Sequence, residues 1–383
     1  MKQQLLTPFY NPNKTYEENY DEGPFGAFAD GKVFDQTDEP QYDYHGQKVF
    51  LPFGILAGPL LNSAYIKAAF EKGFDICEYK TVRSDTYPCH PFPNILSVHT
   101  EGELTLEKLN KPLLGDTTYK QPIAITNSFN IPSKKPEIWQ VDMKKALSYV
   151  GKGQVMIGSF VGTVRPNQTQ KEFIEDWAIV AHMVYETGVK IIEADISCPN
   201  NGEEGLTCYD LETTEKICQA VRKRIGDTPL ILKIGYFSER NKLEKIAKIA
   251  NEYANGIAAI NTLPGIIVDK EGKQALLGKM RATAGICGAP IKWAGMDMVK
   301  QLHKIREKNN YSFSIDGVGG ITTPEDYWEY RKAGANAAMA VTGSMWNPYL
   351  AQEIKKKHFS NSKYEHRNEK DAYRKYQMIS LKT

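Results

Sequence analysis

The six cysteines of this 383-residue chain never stand as a C-x-x-C pair. Neither a structural zinc nor an iron–sulfur cluster held by this chain is therefore expected. A disulfide framework is not expected either, because the chain is large and shows no secretion signal. No run of about 18 apolar residues occurs, which leaves nothing to span a bilayer as a helix. The opening MKQQLLTPFYNPNKTYEENYDEG has no long apolar core behind its first lysine, so no cleaved leader is expected. An excess of one charge is missing too. Forty-eight basic and 46 acidic residues sum to +2, which argues against a polyanionic partner such as nucleic acid. Repeats and low-complexity tracts are absent. These absences together point to a cytoplasmic, reducing setting away from membranes.

What is present is an alternation. The apolar runs PFGILA (52–57), FDICEYKT (74–81), QVMIGSF (154–160), VKIIEADIS (189–197), LILKIGYF (230–237), GIAAINTL (256–263), FSIDGVGG (313–320) and AAMAVTGS (337–344) have strand character. Stretches of helical period lie between them, such as KEFIEDWAIVAHMVYETG and TPEDYWEYRKAG. The latter opens on a Thr-Pro start signal and closes on glycine. Eight strands alternating with helices predict an α/β protein, a (β/α)8 TIM barrel. An open doubly wound sheet is the other possibility, but no G-x-G-x-x-G follows the first strand. Residues 1–46, rich in aromatics, Gly and Pro, read as an N-terminal arm packed on the barrel, with Phe9, Tyr10, Phe25, Phe28 and Phe34 docking. The barrel takes residues 47–356, and a charged, helical tail takes 357–383. Long insertions follow strand two (83–153) and strand six (264–291). The run QPIAITNSF in the first of them is read as an excursion and not as a barrel strand.

Several strand ends are polar. Lys80 ends strand two, Asp195 and Cys198 follow strand four, Lys233 sits in strand five, and Asn261 ends strand six. Period two puts Glu78 on the face of Lys80 and Glu193 on the face of Asp195. If that face points inward, two lysines and three carboxylates meet in one barrel, and the cost of unpaired buried charge calls for a paired network. Solvated lysines on exposed strand faces are the plainer alternative. Near the last two strands, Gly317, Gly319 and Gly320 precede a helix start, and Thr342–Gly343–Ser344 precede another stretch. Backbone N–H groups at two adjacent turns can surround a phosphate, and barrels often bind one after strands seven and eight. A lone cysteine is ordinarily a packed thiol. Cys198, however, lies just beyond a strand between Ser197 and Pro199, ahead of the loop-like GEEG, which favours a general base or nucleophile. Cys208 and Cys218 read as structural.

In chain order the segments LAGP, YKT, ITNSFNIPS, ISCPN, LKIGYF, INT, GICGAPIK, GVGGI and VTGS resemble the class 1 dihydroorotate dehydrogenase family. ISCPN is similar to that family's catalytic segment and to one in the FMN domain of dihydropyrimidine dehydrogenases. The likeness runs through most of residues 50–350. It implies FMN at the C-terminal mouth of the barrel and oxidation of dihydroorotate to orotate, a step of pyrimidine biosynthesis. Carried over by position, Ala57 and Gly58 would touch the isoalloxazine, with Lys80, Thr81 and Asp195 beside it and Lys233 near its N1/O2 edge. Gly288, Gly319, Gly320, Thr342 and Gly343 would hold the ribityl phosphate. Asn127, Asn130, Asn200, Asn261 and Thr262 would surround the substrate, which Lys80 would also reach. Cys198 would remove the C5 proton while the C6 hydride passes to flavin N5, with Lys80 lowering the thiol pKa. The resemblance also suggests a homodimer and, for the electron acceptor, fumarate, NAD through a partner subunit, or another oxidant.

Two positions depart from the family pattern. Asp195 stands where NLSCPN has asparagine, and an ionised carboxylate only accepts hydrogen bonds and repels an anion. Asn130 stands where glycine is common, in the loop over the substrate. Three other activities fit part of the pattern: a flavin enzyme for another dihydropyrimidine or enone, a Schiff-base lyase using Lys80 or Lys233, and a flavin-binding protein without turnover.

Overall fold

The computed structural model describes residues 5–37, 39–197 and 205–357; Cys198 and Asn200 lie outside the described residues, as do all but the first residue of the 357–383 tail. The chain begins with aromatic packing. Phe9 stacks on Phe28 with ring centroids 4.1 Å apart, and its N–H donates to Met345 O at 3.2 Å. Phe9, Tyr10 and Phe28 are buried, whereas Phe25 and Phe34 are half-buried. The helix Tyr16–Glu22 starts at a capping box in which Thr15 and Glu18 satisfy each other's backbone N–H groups. A hairpin follows, β1 (Tyr42–Tyr44) and β2 (Gln47–Val49), turning on His45 and Gly46 at positive φ.

The barrel starts with β3 (Phe53–Ile55) and β4 (Ile76–Val82). The chain then leaves it for β5 (Ile95–Val98), β6 (Leu113–Asp116) and β7 (Ala124–Asn127). It returns with β8 (Val155–Phe160), β9 (Ile191–Asp195), β10 (Leu230–Ile234) and β11 (Gly256–Ala259). A second departure forms β12 (Leu263–Val268) and β13 (Thr283–Gly288), before β14 (Ser314–Val318) and β15 (Ala337–Met339) complete the circuit. Eight parallel strands close in chain order, β3-β4-β8-β9-β10-β11-β14-β15, the (β/α)8 TIM barrel expected from the alternation. Each strand overlaps one of the eight apolar runs.

These strands read as apolar runs because both of their faces are covered. Outward residues such as Tyr79, Ile192, Leu232 and Ile315 pack in the large core shared with the helices. Inward residues Ile76, Ile157, Ile191, Ile231, Ala258, Val318 and Met339 fill the barrel axis. Helix starts are set by side-chain caps. Asn62 caps Ser63–Glu71, Thr169 and Glu172 form a capping box for Gln170–Tyr185, and Thr323 and Asp326 do so for Pro324–Lys332.

The two insertions pair with each other. β5 pairs antiparallel with β6 and β7, β7 with β13, β13 with β12, and β12 runs parallel to β6, closing a second sheet of five strands. At the opposite end, Tyr44 and Val49 of the hairpin enter the axial core. Tyr44 Oη donates to Asp316 Oδ2 at 2.6 Å, and His45 Nε2 lies 2.9 Å from Ser314 Oγ.

Candidate active site

A cavity of about 300 Å³ lies where the C-terminal ends of the barrel strands face β7 and β13. All the described residues that the resemblance assigned to cofactor or substrate line it. The barrel rim contributes Ala57, Gly58, Lys80 and Thr81, then Asp195 and Lys233, then Asn261 and Thr262. Gly319, Gly320, Thr342 and Gly343 close the far side, and the insertions add Asn127, Asn130 and Gly288. Gly317 is different: it lies within β14, where a Cβ would meet the Tyr330 ring at 2.3 Å, so its smallness serves helix packing and not the cavity. Thr342–Gly343–Ser344 open the short helix Thr342–Trp346 and do not precede it.

Strand alternation delivers the charged groups. Glu78 and Lys80 share the inward face of β4, Glu193 and Asp195 that of β9, and all four are buried. Lys233 Nζ stands 3.9 Å from both Glu193 Oε1 and Asp195 Oδ2. Lys80 Nζ donates to Thr81 O at 3.2 Å, and Thr81 Oγ1 lies 3.1 Å from Ser159 Oγ. A relay of hydrogen bonds crosses the floor. Asn261 Nδ2 donates to Ser197 Oγ at 2.9 Å, and Ser197 Oγ donates to Asp195 Oδ1 at 2.7 Å. Asn261 Oδ1 also accepts from Thr262 N–H at 2.9 Å. An amide has two donor hydrogens and two acceptor lone pairs. Among the described residues these bonds leave Asn261 one N–H and one lone pair.

Asn130 has φ +72°, in the left-handed region where glycine is at ease and asparagine is among the better tolerated side chains. The departure from glycine therefore keeps the backbone turn. Its Nδ2 donates to Pro88 O at 3.3 Å, tying two parts of the first insertion together. Asn127 Nδ2 reaches Cys287 Sγ at 3.5 Å.

The sequence reading did not select several lining residues. Tyr10 and Tyr16 of the arm line the cavity, each set edge-on to Phe129, with ring centroids 5.8 and 6.4 Å away. His90, whose Nδ1 lies 3.2 Å from Ser128 Oγ, and Cys287 also line it. Burial lowers the His90 pKa and raises that of Cys287. Cys287 carried a signal in its motif GICGAPIK; for the tyrosines, only the expected docking of the arm hinted at a role. Cys208 and Cys218 are buried, and burial pushes both thiols up to about 12.

The profile of the dihydroorotate dehydrogenase family matches residues 43–359. A dihydroorotate dehydrogenase of Dictyostelium discoideum is 36% identical over 368 residues, spanning 92% of this chain and 98% of the relative. The catalytic subunit of dihydroorotate dehydrogenase B (NAD(+)) of Staphylococcus carnosus is 31% identical over 183 residues, 47% of this chain and 56% of the relative. Dihydroorotate dehydrogenase A (fumarate) of Limosilactobacillus reuteri is 30% identical over 178 residues, 46% of this chain and 55% of the relative. A buried polar rim on a closed barrel, with these relatives, defines an oxidoreductase. The chain belongs to the dihydroorotate dehydrogenase family.

Proposed function

We propose that this protein oxidises dihydroorotate to orotate with FMN bound at the C-terminal mouth of the barrel. The observation that carries this reading is convergence. Residues from Ala57 to Gly343, chosen from strand ends, glycine turns and the resemblance, border one cavity of about 300 Å³, within the range of small-molecule sites.

The residues suit a flavin mononucleotide. A Cβ on Gly58 would meet no protein atom within 4 Å, so the glycine leaves a flat ring room to approach the backbone. Gly319 and Gly320, both at positive φ, and the helix start at Thr342, which has no side-chain cap, present backbone suited to a phosphate. Lys233 would supply a cation to the ring's N1/O2 edge, which becomes negative on reduction. When bound, FMN supplies the acceptor for the C6 hydride at its N5.

The chain's own groups hold the substrate and move the proton. Lys80 offers a charge to the substrate carboxylate, and Asn127, Asn130, Asn200, Asn261 and Thr262 offer donors and acceptors to the ring edge. Cys198, the residue after Ser197, takes the C5 proton on its Sγ as a thiolate. Asp195 is compatible with an anionic substrate because Ser197 donates to one of its oxygens and Lys233 approaches the other.

The test is anaerobic addition of dihydroorotate to the purified protein. A yellow protein that bleaches supports the proposal. A colourless protein whose substrate adduct is trapped by borohydride would replace it with a Schiff-base lyase. Bleaching by another dihydropyrimidine but not by dihydroorotate would change the substrate. A homodimer, a cytoplasmic location and the choice of fumarate or a partner subunit as acceptor belong to the same proposal. Sedimentation and a screen of acceptors after the half-reaction address its first and last parts.

A further inference from the structure

Beneath the cavity floor the barrel holds acids that the proposed chemistry does not use. Glu78 and Glu193 project inward from β4 and β9, the strands flanking β8, and both are fully buried. None of their carboxyl oxygens has a hydrogen-bond donor among the described residues. Lys233 approaches Glu193 at 3.9 Å but is shared with Asp195 at the same distance. The other groups facing the pair are Lys80 further along β4, Ser159 on β8, Asp316 on β14, and Tyr44 from the hairpin, whose Oη is taken by Asp316. Among the described residues Glu78, Glu193 and Asp195 thus face Lys80 and Lys233, so a neutral layer leaves one proton on these three acids, while Asp316 has Arg331 acting on it as well.

Two neighbouring carboxylates in a closed, dry space cannot both stay ionised. A proton between them turns one into a donor for the other. Burial raises both carboxyls, Lys233 pulls against it, and Glu193 is raised further by facing Glu78.

We propose that Glu78 and Glu193 are positioning residues that share one proton beneath the cavity, and that the pair takes up a second proton when negative charge enters the cavity above Lys233. The added proton comes from solvent, and no bond to the substrate is made or broken. Neutralising the pair leaves Asp195 as the carboxylate beside Lys233 and so strengthens the pull of its charge on the anion. The identity of that anion rests on the proposed function; the shared proton does not.

Infrared spectra of the purified protein at about pH 8, well above ordinary carboxyl values, come first because they need no turnover. A protonated-carboxyl band is expected. Glu78→Gln alone and Glu193→Gln alone should each remove its pair component, since the remaining carboxyl then no longer faces a second glutamate and ionises, with Lys233 shared only with Asp195. Asp316→Asn marks the other protonated acid. Calorimetry of orotate binding in buffers of different ionisation enthalpy comes second. Proton uptake per orotate should fall by at least half in Glu78→Gln. A carboxyl band unchanged in both glutamine variants overturns the proposal, as does equal proton uptake. If orotate does not bind, the functional reading fails and the infrared result still decides the pair. If neither glutamine variant folds, the band left in Asp316→Asn decides: persistence above about pH 7 supports sharing, and loss below that pH refutes it.

Discussion

The two ends of the barrel are built from the same strands by the same alternation, yet they close differently. At the N-terminal end the hairpin seals the axis, and Tyr44 bonds Asp316 and His45 bonds Ser314, with only Asp316 Oδ1 left buried and without a partner among the described residues. Burial lowers the His45 imidazole to about 4, so it is neutral at pH 7 and needs no counter-charge there. At the C-terminal end the five-stranded sheet stands over the rim and leaves a cavity whose lining amides keep unused donors and acceptors. A polar group at the sealed end belongs to stability. One at the cavity end is available to a ligand.

Substitutions can break this comparison. The largest effect is expected of the proposed base: Cys198→Ala should slow substrate-driven reduction by about 10²–10⁴-fold, the usual worth of a general base, with substrate affinity little changed. Stopped-flow measurement of the half-reaction checks this, and an unaltered rate would remove Cys198 from the chemistry. Lys233→Ala strips the cation from two buried carboxylates and should cost about 3–5 kcal/mol in urea unfolding, besides impairing the cavity. If stability is untouched, Lys233 does not hold the charged layer together.

The sealed end should affect stability alone. Tyr44→Phe leaves a buried carboxyl without its donor and should cost about 1–3 kcal/mol, while the Michaelis constant stays at the wild-type value. A changed Michaelis constant would blur the division between the ends. Burial, first among its causes, raises the Asp316 carboxyl to about 7. The folded state therefore holds this proton after the unfolded chain, at about 3.9, has released it. The contribution of Asp316 is full below about pH 4 and is lost as pH rises towards 7. Asp316→Asn should flatten that part of the stability curve, as read by unfolding midpoints across pH. The smallest effect belongs to the arm: Thr15→Ala removes a capping box and should cost about 1 kcal/mol, measurable by thermal unfolding.

The barrel was legible because a strand covered on both faces is apolar throughout, so eight such runs among helical stretches have few other arrangements. The inward acids were legible for the same reason, since period two placed Glu78 with Lys80 and Glu193 with Asp195. That rule would also have found Asp316, on the face of Ser314 and Val318, had it been applied to β14. The union of the two insertions was not legible. β7 and β13 are separated by more than a hundred residues, and no periodicity links one strand to a partner so remote in sequence. The entry of Tyr10 and Tyr16 into the cavity wall depends on the same kind of long-range packing.

Local chemistry written in the chain determined which segments become strands, which helices are capped, and which side chains share a face; these follow from backbone geometry within a few residues. Only the closed tertiary structure decided that two distant excursions form one sheet, that one lysine serves two carboxylates, and that two buried acids meet over the strand between them. Burial strengthens electrostatic interactions by removing water, and burial is a property of the assembled fold.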